Sequence, residues 1–141
     1  MSILYTPAGD TDPIRDFYDG AILHIIRTYK PSMVRIFLSA EMVKKEETRQ
    51  VYSKAIAYNA PDCKIEFIKT DIVDAQLMEK LIPLAEGFME LRKEYPNEEI
   101  LLNLSSGTPQ MKTIMSFLAT DFDNVRAIQV DSPQQGSNRK A

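Results

Sequence analysis

The sequence is poor in the residues that most often announce a chemistry. Its single cysteine, Cys63, excludes a disulfide framework and a thiolate metal cluster, and fits a reducing, cytoplasmic interior. Its single histidine, His24, lies among Ile22, Leu23, Ile25 and Ile26, where packing is a simpler role than catalysis. No apolar run approaches the length of a membrane span. The first residues carry Asp10, Asp12, Arg15 and Asp16, which is not the pattern of a signal peptide. Net charge is −3, so broad attraction to duplex DNA or an anionic membrane is excluded, and any nucleotide needs a local site. The glycine-rich phosphate motifs GxxxxGK(S/T) and GxGxxG are both missing.

What remains is ordinary in composition and ordered in pattern. The 141 residues are 44% hydrophobic and 26% charged, enough for one domain with a real core. Short apolar runs at 3–6, 33–39, 63–70, 98–105 and 125–132 read as strands. Helical spacing joins them. Ile22, Ile25, Ile26 and Tyr29 mark one helix, ended by Pro31. Residues 40–59 read as one helix with a modest apolar face, its run KKEETR a solvated side. Leu77, Leu81, Leu84, Phe88 and Leu91 mark a long helix, with Pro83 predicting a kink or a new start. Met111, Ile114, Met115 and Leu118 mark the last. Asp71 and Asp74 read as caps or solvated surface, and most of the seven methionines as core filler.

Strand–helix alternation predicts an α/β, Rossmann-like three-layer domain over 1–132, its mainly parallel sheet having about five strands or more. The polar stretch 133–141 reads as a linker or tail. In a doubly wound order, strands one and four are neighbours at the reversal of winding, and ligands bind outside their carboxyl ends. The loops there are PAGDTDPIRD (7–16) and SSGTPQMK (105–112).

The second of these loops has the makings of a phosphate cradle. Thr108 is a good N-cap and Pro109 a good first helical residue, leaving first-turn amides for an anion. Gly107 permits close approach or a positive φ. Ser105, Ser106 and Thr108 offer hydroxyls, Gln110 an amide for a base or ribose, and Lys112 a charge one turn in. The same residues would also make a plain turn and helix cap. In the first loop, Asp10 and Asp12 would repel a phosphate but accept from ribose hydroxyls or an adenine amine, with Arg15 offsetting them. Alternatively Asp12 or Asp16 caps the first helix. Nothing points to a metal or a cofactor.

The strings NLSSGTPQMK (103–112) and GDTDPIRDFYDGAILHIIR (9–27) resemble the CRISPR-associated Rossmann fold (CARF) family. The likeness covers essentially the whole chain. It is greatest to the sensor domains of the Csm-series accessory ribonucleases of type III CRISPR systems. Such domains form twofold dimers and bind cyclic tetra- or hexa-adenylate, a second messenger, and some slowly cut it. Binding activates a HEPN ribonuclease that cleaves single-stranded RNA. The resemblance implies that Asn103, Ser105, Ser106, Gly107, Thr108 and Gln110 contact the phosphate–ribose ring, with Gly9, Asp10, Thr11, Asp12 and Pro13 as the other wall. An uncharged polar residue often stands where Asp10 does, which puts a phosphate contact by Asp10 in doubt. Cleavage would need only in-line attack by a ribose 2′-hydroxyl, helped by Ser106 and Thr108 and no metal. No Arg–His pair of a HEPN site is visible, so the chain reads as a sensor fragment of a longer protein, its effector domain missing, or else as a stand-alone version. Two other readings compete. One is a nucleotide- or flavin-dependent oxidoreductase domain; the other is the sensor half of a CRISPR transcription regulator.

Overall fold

The computed structural model describes residues 1–15 and 17–130. Five parallel strands form the central sheet: β1 (Ser2–Pro7), β4 (Met33–Leu38), β5 (Lys64–Lys69), β6 (Glu99–Asn103) and β7 (Val125–Ile128). Their order is β5-β4-β1-β6-β7. The first and fourth strands of the sheet are thus neighbours, with Ile3 beside Ile100 and Tyr5 beside Leu102. The expected α/β, doubly wound architecture is present.

Burial explains the strand compositions. All six residues of β4 are buried, as are all of β1 but Ser2, because helices cover both faces. One face carries α1 (Ala21–Tyr29), α2 (Ala40–Arg49) and α3 (Val51–Asn59), packed through Leu4, Val34, Ile36, Ile22, Tyr52 and Ile56. The other carries α4 (Ile82–Glu94) and α5 (Pro109–Leu118), packed through Tyr5, Phe37, Phe88, Leu91 and Met115. Tyr5 donates its hydroxyl to the Leu84 carbonyl at 2.6 Å, joining β1 to α4. Arg35 of β4 bridges Glu66 of β5 at 2.6 Å and Glu94 of α4 at 2.7 Å. That guanidinium holds the Glu66 carboxyl below its usual range.

Several local expectations need correction. Residues 40–59 form two helices, not one, divided at Gln50, which is left-handed at φ 52. Within KKEETR, Glu46 is buried and not solvated. It accepts from the Tyr52 and Ser53 amides at 2.9 and 3.2 Å and from the Ser53 hydroxyl, so it caps α3. Leu77 precedes the helix; a 3-10 turn (Met78–Leu81) leads into α4, where Pro83 sits in the first turn. A new start at Pro83, not a kink, is what occurs. The last strand ends at Ile128. The tail 133–141 and Asp16 lie outside the described residues.

The first loop holds a feature without a clear sequence signal. Two-residue strands β2 (Ile14–Arg15) and β3 (Tyr18–Asp19) make an antiparallel ribbon before α1, so the helix begins at Ala21 and not at Tyr18.

Candidate functional site

The two singled-out loops meet at the carboxyl edge of the sheet. Their contact is close: a Cβ added at Gly9 would come within 2.7 Å of the Gly107 amide nitrogen. Gly107 has φ +96, and a Cβ there would meet the Met111 sulfur at 2.7 Å. Both positions therefore require glycine on steric grounds.

Asp12 joins the loops from behind. It is buried, follows β1 through a tight turn, and sits on a cis bond to Pro13. Its carboxylate accepts from the Gly9 amide at 2.9 Å and from the Ile22 amide at 3.1 Å. Ile22 is in the first turn of α1, whose N-cap Gly20 has no side chain. Asp12 thus caps α1 across ten residues, the simpler of its two expected roles. Ser106 also hydrogen-bonds this carboxylate. Burial pushes the Asp12 carboxyl above its ordinary range; the bonds to Ser106, Gly9 and Ile22 and the Lys112 charge pull the other way.

Asn103 completes the scaffold. It is fully buried at the end of β6. Its amide nitrogen donates to Thr6 Oγ1 at 3.0 Å and Ser106 Oγ at 2.8 Å, and its oxygen accepts from the Ser105 amide at 2.8 Å. The Ser105 hydroxyl accepts from the Val130 amide at 2.7 Å. Thr108 is the N-cap of α5, accepting from the Met111 amide at 3.3 Å and donating to the Ala75 carbonyl at 2.7 Å. The expected hydroxyl donors therefore face protein partners. What the loop leaves open is backbone: among the described residues the Gly107 and Gln110 amides join no hydrogen bond.

A cleft of about 650 Å³ opens at this edge. Of the expected residues, Gly9, Asp10, Gly107 and Thr108 line it. Asp12, Asn103, Ser105 and Ser106 hold its loops, while Thr11 and Pro13 lie against Gly20 at the base of the ribbon and do not line it. Arg15 is exposed on the ribbon, and Gln110 and Lys112 lie along α5, Gln110 with a buried oxygen that has no partner among the described residues. The far wall was not anticipated: Ser39 and Lys44 around the start of α2, and Gln76 in the loop after β5. A serine closing the strand at 33–39 and opening a helix was the available signal, the same strand–cap–helix grammar as at Thr108.

These observations meet in the comparisons with known proteins. A family model described as the Cas_Csm6 CARF domain matches residues 62–141. The chain belongs to the Csm6 CARF domain family. Csm6 relatives match along nearly all of it. The CRISPR system endoribonuclease Csm6 of Enterococcus italicus is 36% identical over 148 residues, covering 99% of this chain and 34% of that protein. The Mycobacterium tuberculosis protein of the same name is 34% identical over 139 residues, covering 97% and 34%. A solved structure, Enterococcus italicus Csm6 bound to cyclic hexa-2′-fluoro-hexa-dAMP, superposes with TM-score 0.83 over 94% of this chain and 34% of that one. The chain thus spans about a third of the length of the Csm6 proteins it matches. Among the described residues no helix is long and apolar enough to cross a membrane.

Proposed function

We propose that this CARF domain binds a cyclic oligoadenylate in the cleft between the Gly9–Pro13 and Ser105–Gln110 loops. The observation that carries the reading is the glycine-tight loop pair at the reversal of winding, with unpaired amides at the mouth of α5. Amide donors and a helix N-terminus suit a ribose-phosphate backbone. The ligand in the Enterococcus italicus Csm6 structure, a cyclic hexanucleotide analogue, supports the same class of occupant. In this reading Gly9, Asp10, Gly107, Thr108, Gln110 and Lys112 face the ring or flank it, with Arg15 reaching from the ribbon. Asp12, Asn103, Ser105 and Ser106 hold the loops.

The domain works as a homodimer in this proposal, because an even-numbered ring of identical units can share a twofold axis with two chains. Val73, Leu77, Met78 and Ile82, all exposed within ten residues beside the cleft, offer apolar surface for such pairing. Occupancy then activates a HEPN ribonuclease acting on single-stranded RNA. Slow, metal-independent ring cutting belongs to the same proposal. Attack by the ring's own 2′-hydroxyl would be aligned at Thr108, which lines the cleft, with charge taken up by the Gly107 amide; Ser106, buried against Asn103 and Asp12, serves the reaction only by holding the loop.

Calorimetry of the chain with cyclic tetra- and hexa-adenylate tests the binding. Saturable heat with at least one ring is expected, and Gly107→Ala should abolish it. Absence of heat with both rings would overturn the proposal. Prolonged incubation with EDTA, read for cyclic-phosphate ends, tests cutting separately.

A further inference from the structure

The ribbon of the first loop projects a residue that the fold does not use. Phe17 is 75% exposed and has φ +70, the left-handed region that a bulky side chain seldom occupies. Phe37 and Phe88, by contrast, are fully buried. A phenylalanine held outward on unfavourable backbone marks a position where exposure is retained against local preference, and such outliers gather at functional sites.

The base of the ribbon is held rigidly. Gly20 donates to the Pro13 carbonyl at 2.8 Å, closing the ribbon. Asp19 is fully buried and paired to Arg27 Nε at 2.6 Å. A Cβ at Gly20 would strike the Thr11 carbonyl at 2.3 Å, so the ribbon is pressed against the Gly9–Pro13 loop. Ile14 pairs with Asp19 and Arg15 with Tyr18, which fixes the direction of the tip. Buried carboxylates thus anchor an arm whose end carries an exposed ring beside an exposed arginine. The loop beneath the ribbon touches Gly107 through Gly9, so the ribbon rises beside the cleft from the loop that forms one of its walls, outside the residues that line it.

We propose that Phe17 is a base-stacking residue: its ring lies against a purine of a nucleotide whose phosphate sits at Gly107. The assignment rests on the reading of the cleft given above. An aromatic face accepts any base without hydrogen-bond readout, and a cationic neighbour such as Arg15 reinforces it. Apolar contact with a second copy of the chain is the competing occupant of this tip.

The test separates them. Calorimetry with cyclic hexa-adenylate is run on the unaltered chain and on Phe17→Ala, Phe17→Leu and Phe17→Tyr, with self-association measured by sedimentation and folding by thermal melting. Stacking requires that Ala and Leu weaken affinity about 5- to 150-fold. Tyr should stay within about twofold of the unaltered chain, with melting and self-association unchanged in all three. Leu binding as tightly as Phe would overturn it, since an aliphatic side chain cannot stack. So would a change in self-association at unaltered ring affinity. If the unaltered chain binds no ring, the cleft reading itself has failed, and the stacking role falls with it.

Discussion

The Thr108 hydroxyl donates to the Ala75 carbonyl while its oxygen accepts from the Met111 amide, so one side chain joins the loop after β6, the loop after β5 and the start of α5. Loss of an N-cap typically costs about 1 kcal/mol. Thr108→Ala should lower stability by about 1–2 kcal/mol, since the Ala75 tie goes with the cap. Ring affinity should fall as well, and Thr108→Ser should restore both; unaltered melting and unaltered binding would show the residue to be misassigned. Asp12 gives a second test at this scale. Its folded pKa lies above the unfolded value, so its contribution to stability is present below about pH 4 and is lost as pH rises through the folded pKa. The unaltered chain should therefore lose stability relative to Asp12→Asn as pH rises from about 4. Urea midpoints of both proteins across that range check the sign, and a gap moving the other way would contradict the buried, ionisable assignment.

At the scale of elements, the break between α2 and α3 carries the clearest prediction. Gln50 sits in the left-handed region, where a Cβ costs roughly 1–2 kcal/mol. Gln50→Gly should raise the melting temperature, with part of the gain lost to unfolded-state entropy. Glu46→Ala should lower it by removing the cap of α3, on the order of 1–2 kcal/mol. The same junction shows where sequence patterning stops being informative. Val51, Tyr52, Ala55 and Ile56 mark helix correctly, but a change of direction at the single residue Gln50 leaves periodicity nearly intact, and a buried glutamate looks like its solvated neighbours. Strand positions, by contrast, were legible, because β1, β4 and β6 are covered on both faces and so read as apolar runs. The neighbouring of β1 and β6 followed from the alternation of elements. Within the site, the Thr108 cap and the demand for glycine at 107 were legible locally. That Asn103 and Ser106 are joined to Thr6 and Asp12 was not, since these partners lie far away in the sequence, Asn103 and Thr6 ninety-seven residues apart. Nor was the α2 wall, whose Lys44 becomes a cleft residue only through strand order.

For the whole molecule, the sheet order places the glycine-tight loop pair at the carboxyl edge, where the winding reverses. The Enterococcus italicus relative holds a cyclic hexanucleotide analogue, and the geometry here offers donors that would suit such a ring. The central claim is that the open backbone amides of Gly107 and Gln110 grip a shared ring, which makes stoichiometry the most direct readout. Titrating the chain with cyclic hexa-adenylate in a calorimeter, with light scattering on the same mixture, measures affinity and assembly together. The expected result is saturable binding at one ring per two chains, abolished by Gly107→Ala while the variant still melts cooperatively. No binding by the folded chain, or binding that survives Gly107→Ala undiminished, would contradict it.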